Sequence, residues 1–198
     1  MAVLMMLEVP GGTAEQYERA NEIMGIETDD DAPEGLISHV AAQTDDGFLI
    51  ADVWASEEKL HQFFEERAGA ALAQAGMPEA QPRIVPVHHH IAQGAGTEPN
   101  YAMIIELDDF GPGDYDQMVS SMGTHGRDGA DHPAVSHIAA ATDDGGMIVV
   151  DIWESPQAFE EFARTQIAPA GEAAGLGPIE PRVLPVHKTL RVPAAPSA

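Results

Sequence analysis

The chain carries one folding pattern twice. Gly35-Leu36-Ile37-Ser38-His39-Val40-Ala41-Ala42 returns as Pro133-Ala134-Val135-Ser136-His137-Ile138-Ala139-Ala140. Ala51-Asp52-Val53-Trp54 returns as Val150-Asp151-Ile152-Trp153, and Pro82-Arg83-Ile84-Val85-Pro86-Val87-His88 as Pro181-Arg182-Val183-Leu184-Pro185-Val186-His187. The offset is 98 at the first motif (137 − 39) and 99 at the later two (153 − 54, 187 − 88). A repeat this long is a folding unit rather than a solenoid turn. Each half of the 198-residue chain is near the lower size at which a domain stands alone, so two halves sharing a buried face are expected.

Each repeat reads strand, helix, strand, strand, helix, strand. The opening strand covers about Val3 to Val9, with Tyr101 to Leu107 as its counterpart. Thr13 with Gln16 is a capping-box signature, echoed by Asp114 with Gln117. Thr44-Asp45-Asp46-Gly47 and Thr142-Asp143-Asp144-Gly145-Gly146 are hairpin turns. Ser56 and Ser155 cap the second helix, with Pro156 in its first turn. Pro86 and Pro185 inside the last strand predict an edge position or a bulge. The expected layout is a first repeat over 1–92, a linker over 93–100, a second repeat over 101–192 and a tail over 193–198.

This βαββαβ order is the split, ferredoxin-like arrangement of the α+β class. Its antiparallel sheet has helices on one face, so the bare face needs a cover. The second copy supplies one. The expected architecture is two tandem units with their sheets face to face, a pseudo-dimeric α/β barrel within one chain. Further oligomerisation stays open.

Composition narrows the partners. With 33 acidic residues against 9 Lys and Arg, the net charge is −24. Nucleic acid and anionic membrane surfaces are excluded, because both require cations. No cysteine is present, which removes disulfides, thiolate metal sites and a Cys nucleophile. No apolar run is long enough to span a bilayer, and the apolar start reads as a strand rather than a signal peptide, so a cytoplasmic protein is expected.

The hairpin sets the candidate site. A two-residue Asp45-Asp46 loop puts His39 opposite Asp52, while an Asp46-Gly47 loop puts it opposite Trp54. In the second copy a three-residue loop absorbs the extra glycine, and His137 faces Asp151 or Trp153. Side chains alternate along a strand, so His39, Asp52 and Trp54 share a face. Leu49, Ala51 and Val53 form a wholly apolar opposite face, which is expected to pack on the helices. The His–Asp–Trp face then looks into the barrel, with Glu8 and Glu106 beside it. His88 and His187 end the last strands.

A carboxylate beside an imidazole fixes its tautomer and raises its basicity, which is how a general base is built. His39, Asp52, His137 and Asp151 are therefore the catalytic candidates. Trp54, Trp153, Glu8, Glu106, His88 and His187 are candidates for contacting substrate. The plain alternative is a buried polar pair under a hydrophobic lid. A second alternative is a divalent metal held by His39, Asp52, Glu8 and His88, or in the other half by His137, Asp151 and His187. His89 and His90 align with Lys188 and Thr189 and read as surface variation; His61, His125 and His132 are unmatched and expected at the surface. Arg83 and Arg182 recur and are expected to pair with surface acids.

The strand order, the Asp-x-Trp closing the third strand and the capped helix beginning Glu154-Ser155-Pro156-Gln157-Ala158-Phe159 resemble the dimeric α/β-barrel superfamily, and within it the antibiotic-biosynthesis monooxygenase-like branch. The resemblance covers nearly all of both repeats. It implies a tandem barrel and an activity among those of the family: cofactor-free oxygenation of aromatic polyketides, haem degradation, isomerisation or cyclisation. Trp54 and Trp153 match a tryptophan that several of these enzymes carry. The asparagine that the oxygenases often use has no placed match. Glu8 and Glu106 stand where the haem-degrading branch would have Asn, and His61, the helical candidate for a haem ligand, has Glu160 as its counterpart in the second repeat, which argues against haem. The reading is a cofactor-free, small-molecule enzyme acting on a hydrophobic or aromatic metabolite, with a non-catalytic ligand- or metal-binding barrel as its competitor and a pocketless structural module as a third class.

Overall fold

The computed structural model describes residues 1–92, 99–122, 133–177 and 179–191. Most of the expected linker, His125, His132 and the tail from 193 lie outside the described residues.

The first repeat runs β1 (Val3–Pro10), α1 (Ala14–Met24), β2 (Leu36–Gln43), β3 (Gly47–Trp54), α2 (Glu57–Phe63), a π-helical stretch Phe64–Ala68, α3 (Gly69–Ala75) and β4 (Arg83–Ala92). The second runs β5 (Tyr101–Leu107), α4 (Pro112–Ser121), β6 (Ser136–Ala141), β7 (Met147–Trp153), α5 (Pro156–Phe162), a π-helical stretch Ala163–Ile167, α6 (Ala168–Ala173) and β8 (Arg182–Arg191). No helix is long and apolar enough to cross a membrane among the described residues.

The chain divides into two compact units, 1–85 with 186–198 and 86–185. The boundaries fall inside β4 and β8, so each unit takes the end of its last strand from the opposite repeat. In the first unit β3 lies between β1 and β2, and β2 pairs with the end of β8; every pairing is antiparallel. In the second unit β7 lies between β5 and β6, β6 pairs with β4, and β5 pairs with the start of β8. Each unit thus has the ferredoxin-like α+β arrangement expected from the repeat.

Local sequence accounts for the element ends. Thr13 and Gln16 form the capping box of α1, and Gly25 closes it at φ 63°. Ser56 accepts from Lys59 N–H at 3.3 Å and Ser155 from Ala158 N–H at 3.2 Å, as expected. The second copy's first helix departs from expectation. Pro112, with its pre-set φ, starts α4 two residues before Asp114, and Asp114 instead accepts from Gly111 N–H at 3.0 Å.

The turns settle the register. Thr44 N–H donates to Gly47 C=O at 3.0 Å, and Thr142 N–H to Gly146 C=O at 3.0 Å. The second copy's inserted glycine, Gly145, takes φ 90° inside its longer loop. Gly47 and Gly146 are required for a different reason: a Cβ there would stand 2.1 Å from Val9 O and 2.5 Å from Leu107 O, the backbone of the neighbouring strand. His39 consequently faces Asp52, and His137 faces Asp151.

Candidate functional site

The helix face of each sheet carries the His–Asp pair, opposite to the sequence expectation. Met5, Leu7, Ile50 and Trp54 cluster with Tyr17, Leu60, Phe63 and Phe64 from the helices. Met103, Ile105, Val149 and Trp153 cluster with Tyr115, Phe159 and Phe162. Leu4, Leu49, Ala51 and Val53 form the other face and are fully buried as well. The expectation failed because β3 is buried on both faces, so polarity did not distinguish them. Trp54 instead packs under the helix, its ring 5.2 Å from that of Phe63.

Three side chains line up in each unit. His39 Nδ1 lies 2.6 Å from Asp52 Oδ1, and His39 Nε2 lies 2.7 Å from Tyr17 Oη. His137 Nδ1 lies 2.5 Å from Asp151 Oδ1, and His137 Nε2 lies 2.6 Å from Tyr115 Oη. A carboxylate can only accept, so Nδ1–H is the donor to it; Nε2 is then the acceptor, and the tyrosine O–H donates. The His39 and Asp52 side chains are 11% and 9% exposed, and those of His137 and Asp151 are 9% and 4% exposed. Burial pushes both tyrosine hydroxyls well above their usual pKa, with Asp52 and Glu18 adding to Tyr17, and Asp151 and Asp116 to Tyr115. Each phenol therefore stays protonated and donates.

The tyrosines were missed as site residues. Their offset, 115 − 17, is the same 98 that separates the histidines, and that recurrence was the available signal.

Each relay opens on a cavity of about 60 Å³ beneath the helices. Met24, Asn21, Trp54 and Phe64 line the first; Met118, Met122, His89 and Ile167 line the second. Phe64 and Ile167 come from the π-helical stretches, an irregularity that often marks functional sites.

The other candidates separate. Glu8 and Glu106 are exposed and stand away from the relay. Glu8 is in register with Leu49, whereas Met5 is in register with Asp52; the period of two puts Glu8 on the opposite face. His88 and His187 are rim residues: His88 Nε2 lies 2.9 Å from Asp116 Oδ1, and His187 Nε2 lies 2.6 Å from Glu18 Oε1. Their rings meet the edges of Tyr115 and Tyr17 at 5.7 and 5.4 Å. Among the described residues no three His, Asp or Glu side chains converge as a metal site.

The prolines in the last strands are followed by register shifts, between Val87 and His89 in β4 and opposite Ala41 and Ala42 in β8. His89 and His90 are thereby half-buried rather than superficial. Burial, with His137 and His89 nearby, pushes His90 down to about 4. The unfolded chain then binds more protons between about pH 6.5 and 4, so this contribution to stability is complete above 6.5, falls as pH drops towards 4 and is flat below it. Replacing His90 with Thr, the residue of the other repeat, is expected to remove up to about 3 kcal/mol of the stability lost between pH 7 and pH 4. Denaturant midpoints of both proteins at the two pH values check this.

No family model and no curated protein matches the sequence. Solved structures do. A candidate monooxygenase from Fusobacterium nucleatum has a TM-score of 0.71 at 9% identity, covering 96% of this chain and 94% of that one. A ferredoxin-fold protein from Listeria monocytogenes, related to antibiotic biosynthesis monooxygenases, has a TM-score of 0.52 at 12% identity, over 95% of each chain. The chain shares their fold. An anthrone oxidase-like protein is similar too, with a TM-score of 0.53 at 16% identity over 98% of this chain and 94% of that one. The resemblance drawn from Asp-x-Trp and the capped helix thus holds at the level of fold.

Proposed function

We propose that the chain is a small-molecule enzyme whose relays abstract a proton from an activated carbon of an apolar substrate. The observation that carries this reading is the Tyr–His–Asp line, built twice with matching partners and distances, each opening on an apolar cavity. As the tyrosine passes its proton to the imidazole Nε2, its oxygen takes one from the substrate. The imidazolium formed is balanced by the carboxylate already bonded to Nδ1. The phenol, neutral again, donates a hydrogen bond to the enolate oxygen.

The monooxygenase-like fold relatives favour O₂ as co-substrate, and the name anthrone oxidase-like suggests a CH₂ between aromatic rings and opposite a carbonyl. The balanced reaction is then CH₂ plus O₂ to a hydroperoxide CH–OOH, which loses water to leave C=O. Isomerisation or cyclisation would use the same deprotonation without O₂. Cavities of this size hold a few waters as they stand, but Met24, Met118 and Met122 are adaptable walls that can repack around a ring.

Anthrone is the probe. Anaerobic deuterium uptake at its CH₂, followed by NMR, is expected to run at least tenfold faster with the protein than in matched buffer, with O₂ consumption appearing on aeration. Buffer-level exchange would refute the base assignment.

A further inference from the structure

The two cavities share a relay but not their walls. Asn21 and Val119 hold the same place, one helical turn after Tyr17 and Tyr115 and at the same offset of 98 (119 − 21), and each lines the cavity of its unit. Met118 and Ile167 in the second cavity stand where the first has Ala20 and Ala68.

The helix does not need a carboxamide at this place. The backbone carbonyl of Asn21 accepts from Ile26 N–H at 3.0 Å, which any residue would do, and α4 carries valine at the twin position. Yet Asn21 is only 6% exposed, and a buried carboxamide is costly unless its groups are bonded. The amide is held one way round. Its Nδ2 donates to Tyr17 C=O at 3.1 Å, and a carbonyl only accepts, so the nitrogen faces the backbone. Burial raises the pKa of the Tyr17 hydroxyl and the Asn21 carboxamide works against that rise, whereas every influence on Tyr115 raises it. Oδ1 is left over. Among the described residues it accepts from no donor, and it is not sealed off as the unbonded indole and serine groups are. His89, the polar wall residue of the second cavity, offers no equivalent: its Nδ1 lies 3.1 Å from Tyr115 Oη, and its Nε2 is buried.

We propose that the two cavities select different ligands: the first takes an apolar ring bearing a hydroxyl that donates to Asn21 Oδ1, and the second takes a ring that presents only carbon to Val119. This rests on the reading that the cavities hold substrate, and not on proton abstraction. A wall built to bond a hydroxyl rejects the analogue that lacks its proton, because the acceptor is then left unpaired. An apolar wall gives the hydroxyl nothing in return for the water it loses.

2-Naphthol and 2-methoxynaphthalene share a ring system, and only the first can donate. Each is titrated into the full chain carrying ¹³C-methyl methionine, where Met24 reads the first cavity and Met118 and Met122 read the second. At Met24, 2-naphthol is expected to bind at least fivefold more tightly than the ether, about the worth of one hydrogen bond. At Met118 and Met122 it is expected to bind no more tightly than the ether. Asn21→Val is expected to abolish the preference at Met24 and to leave the Met118 and Met122 titrations unchanged, which also shows that the variant is folded. The same preference in both cavities of the unmodified protein, or a preference at Met24 that survives Asn21→Val, would overturn the proposal. So would failure of 2-naphthol to shift Met24. Absence of anthrone exchange beside an intact preference at Met24 would sink the base reading alone and support this one.

Discussion

Replacing His39 and His137 together by alanine is expected to lower anthrone deprotonation by ~10²–10⁴-fold, the usual contribution of a positioned general base. The geometry explains the size. Each imidazole bridges the phenol and the carboxylate, at 2.5–2.7 Å on each side. Without it the tyrosine proton has nowhere to go, and a buried carboxylate loses its partner, which also costs stability. Asp52→Asn with Asp151→Asn separates the two effects. The amide keeps the shape and has no charge to strand, but its N–H can donate to Nδ1, moving the imidazole proton to Nε2 and abolishing the base. A similar loss of rate with a near-normal melting temperature is the expected outcome. Retained rate in either double variant would make the relay a structural network.

What the sequence revealed and what it hid both trace to particular residues. The turn residues narrowed the partner of His39 to Asp52 or Trp54 and that of His137 to Asp151 or Trp153, and the Thr44–Gly47 and Thr142–Gly146 hydrogen bonds make it the aspartate in both. Such short-range geometry is set by backbone chemistry. The facing of the pair was not legible, because Leu49, Ala51 and Val53 are as buried as Ile50 and Trp54. Hydrophobic alternation reports a face only when the other face is wet. Bulk was the better clue: an indole closing a strand needs the depth of a helix layer, and Phe63 and Phe162 lie in wait at helical spacing. Tyr17 and Tyr115 were not legible as site residues, since apolar spacing does not separate a buried aromatic from one with a working hydroxyl. His89 was hidden by the register shift at His88, where the period of two fails.

Trp54→Ala is the substitution with the largest expected effect on stability, about 3–5 kcal/mol, as for other fully buried aromatics. At roughly 2–4 °C per kcal/mol for a chain of this size, the melting temperature should fall by about 10 °C. Trp54→Phe is expected to cost much less, about 1 kcal/mol. The reason is specific: the indole N–H of Trp54 and that of Trp153 are buried and meet no acceptor among the described residues. Removing a donor that bonds nothing forfeits no hydrogen bond and relieves an unmet one. Because Trp54 lines the first cavity, that N–H is free to donate to a ligand oxygen. Trp54→Phe should therefore weaken anthrone binding to the first unit by about 5–10-fold, the equivalent of one hydrogen bond, while barely moving the melting curve. Calorimetric titration beside thermal denaturation reads both quantities. A Phe variant as unstable as the Ala variant would show that the indole N–H has a structural partner after all.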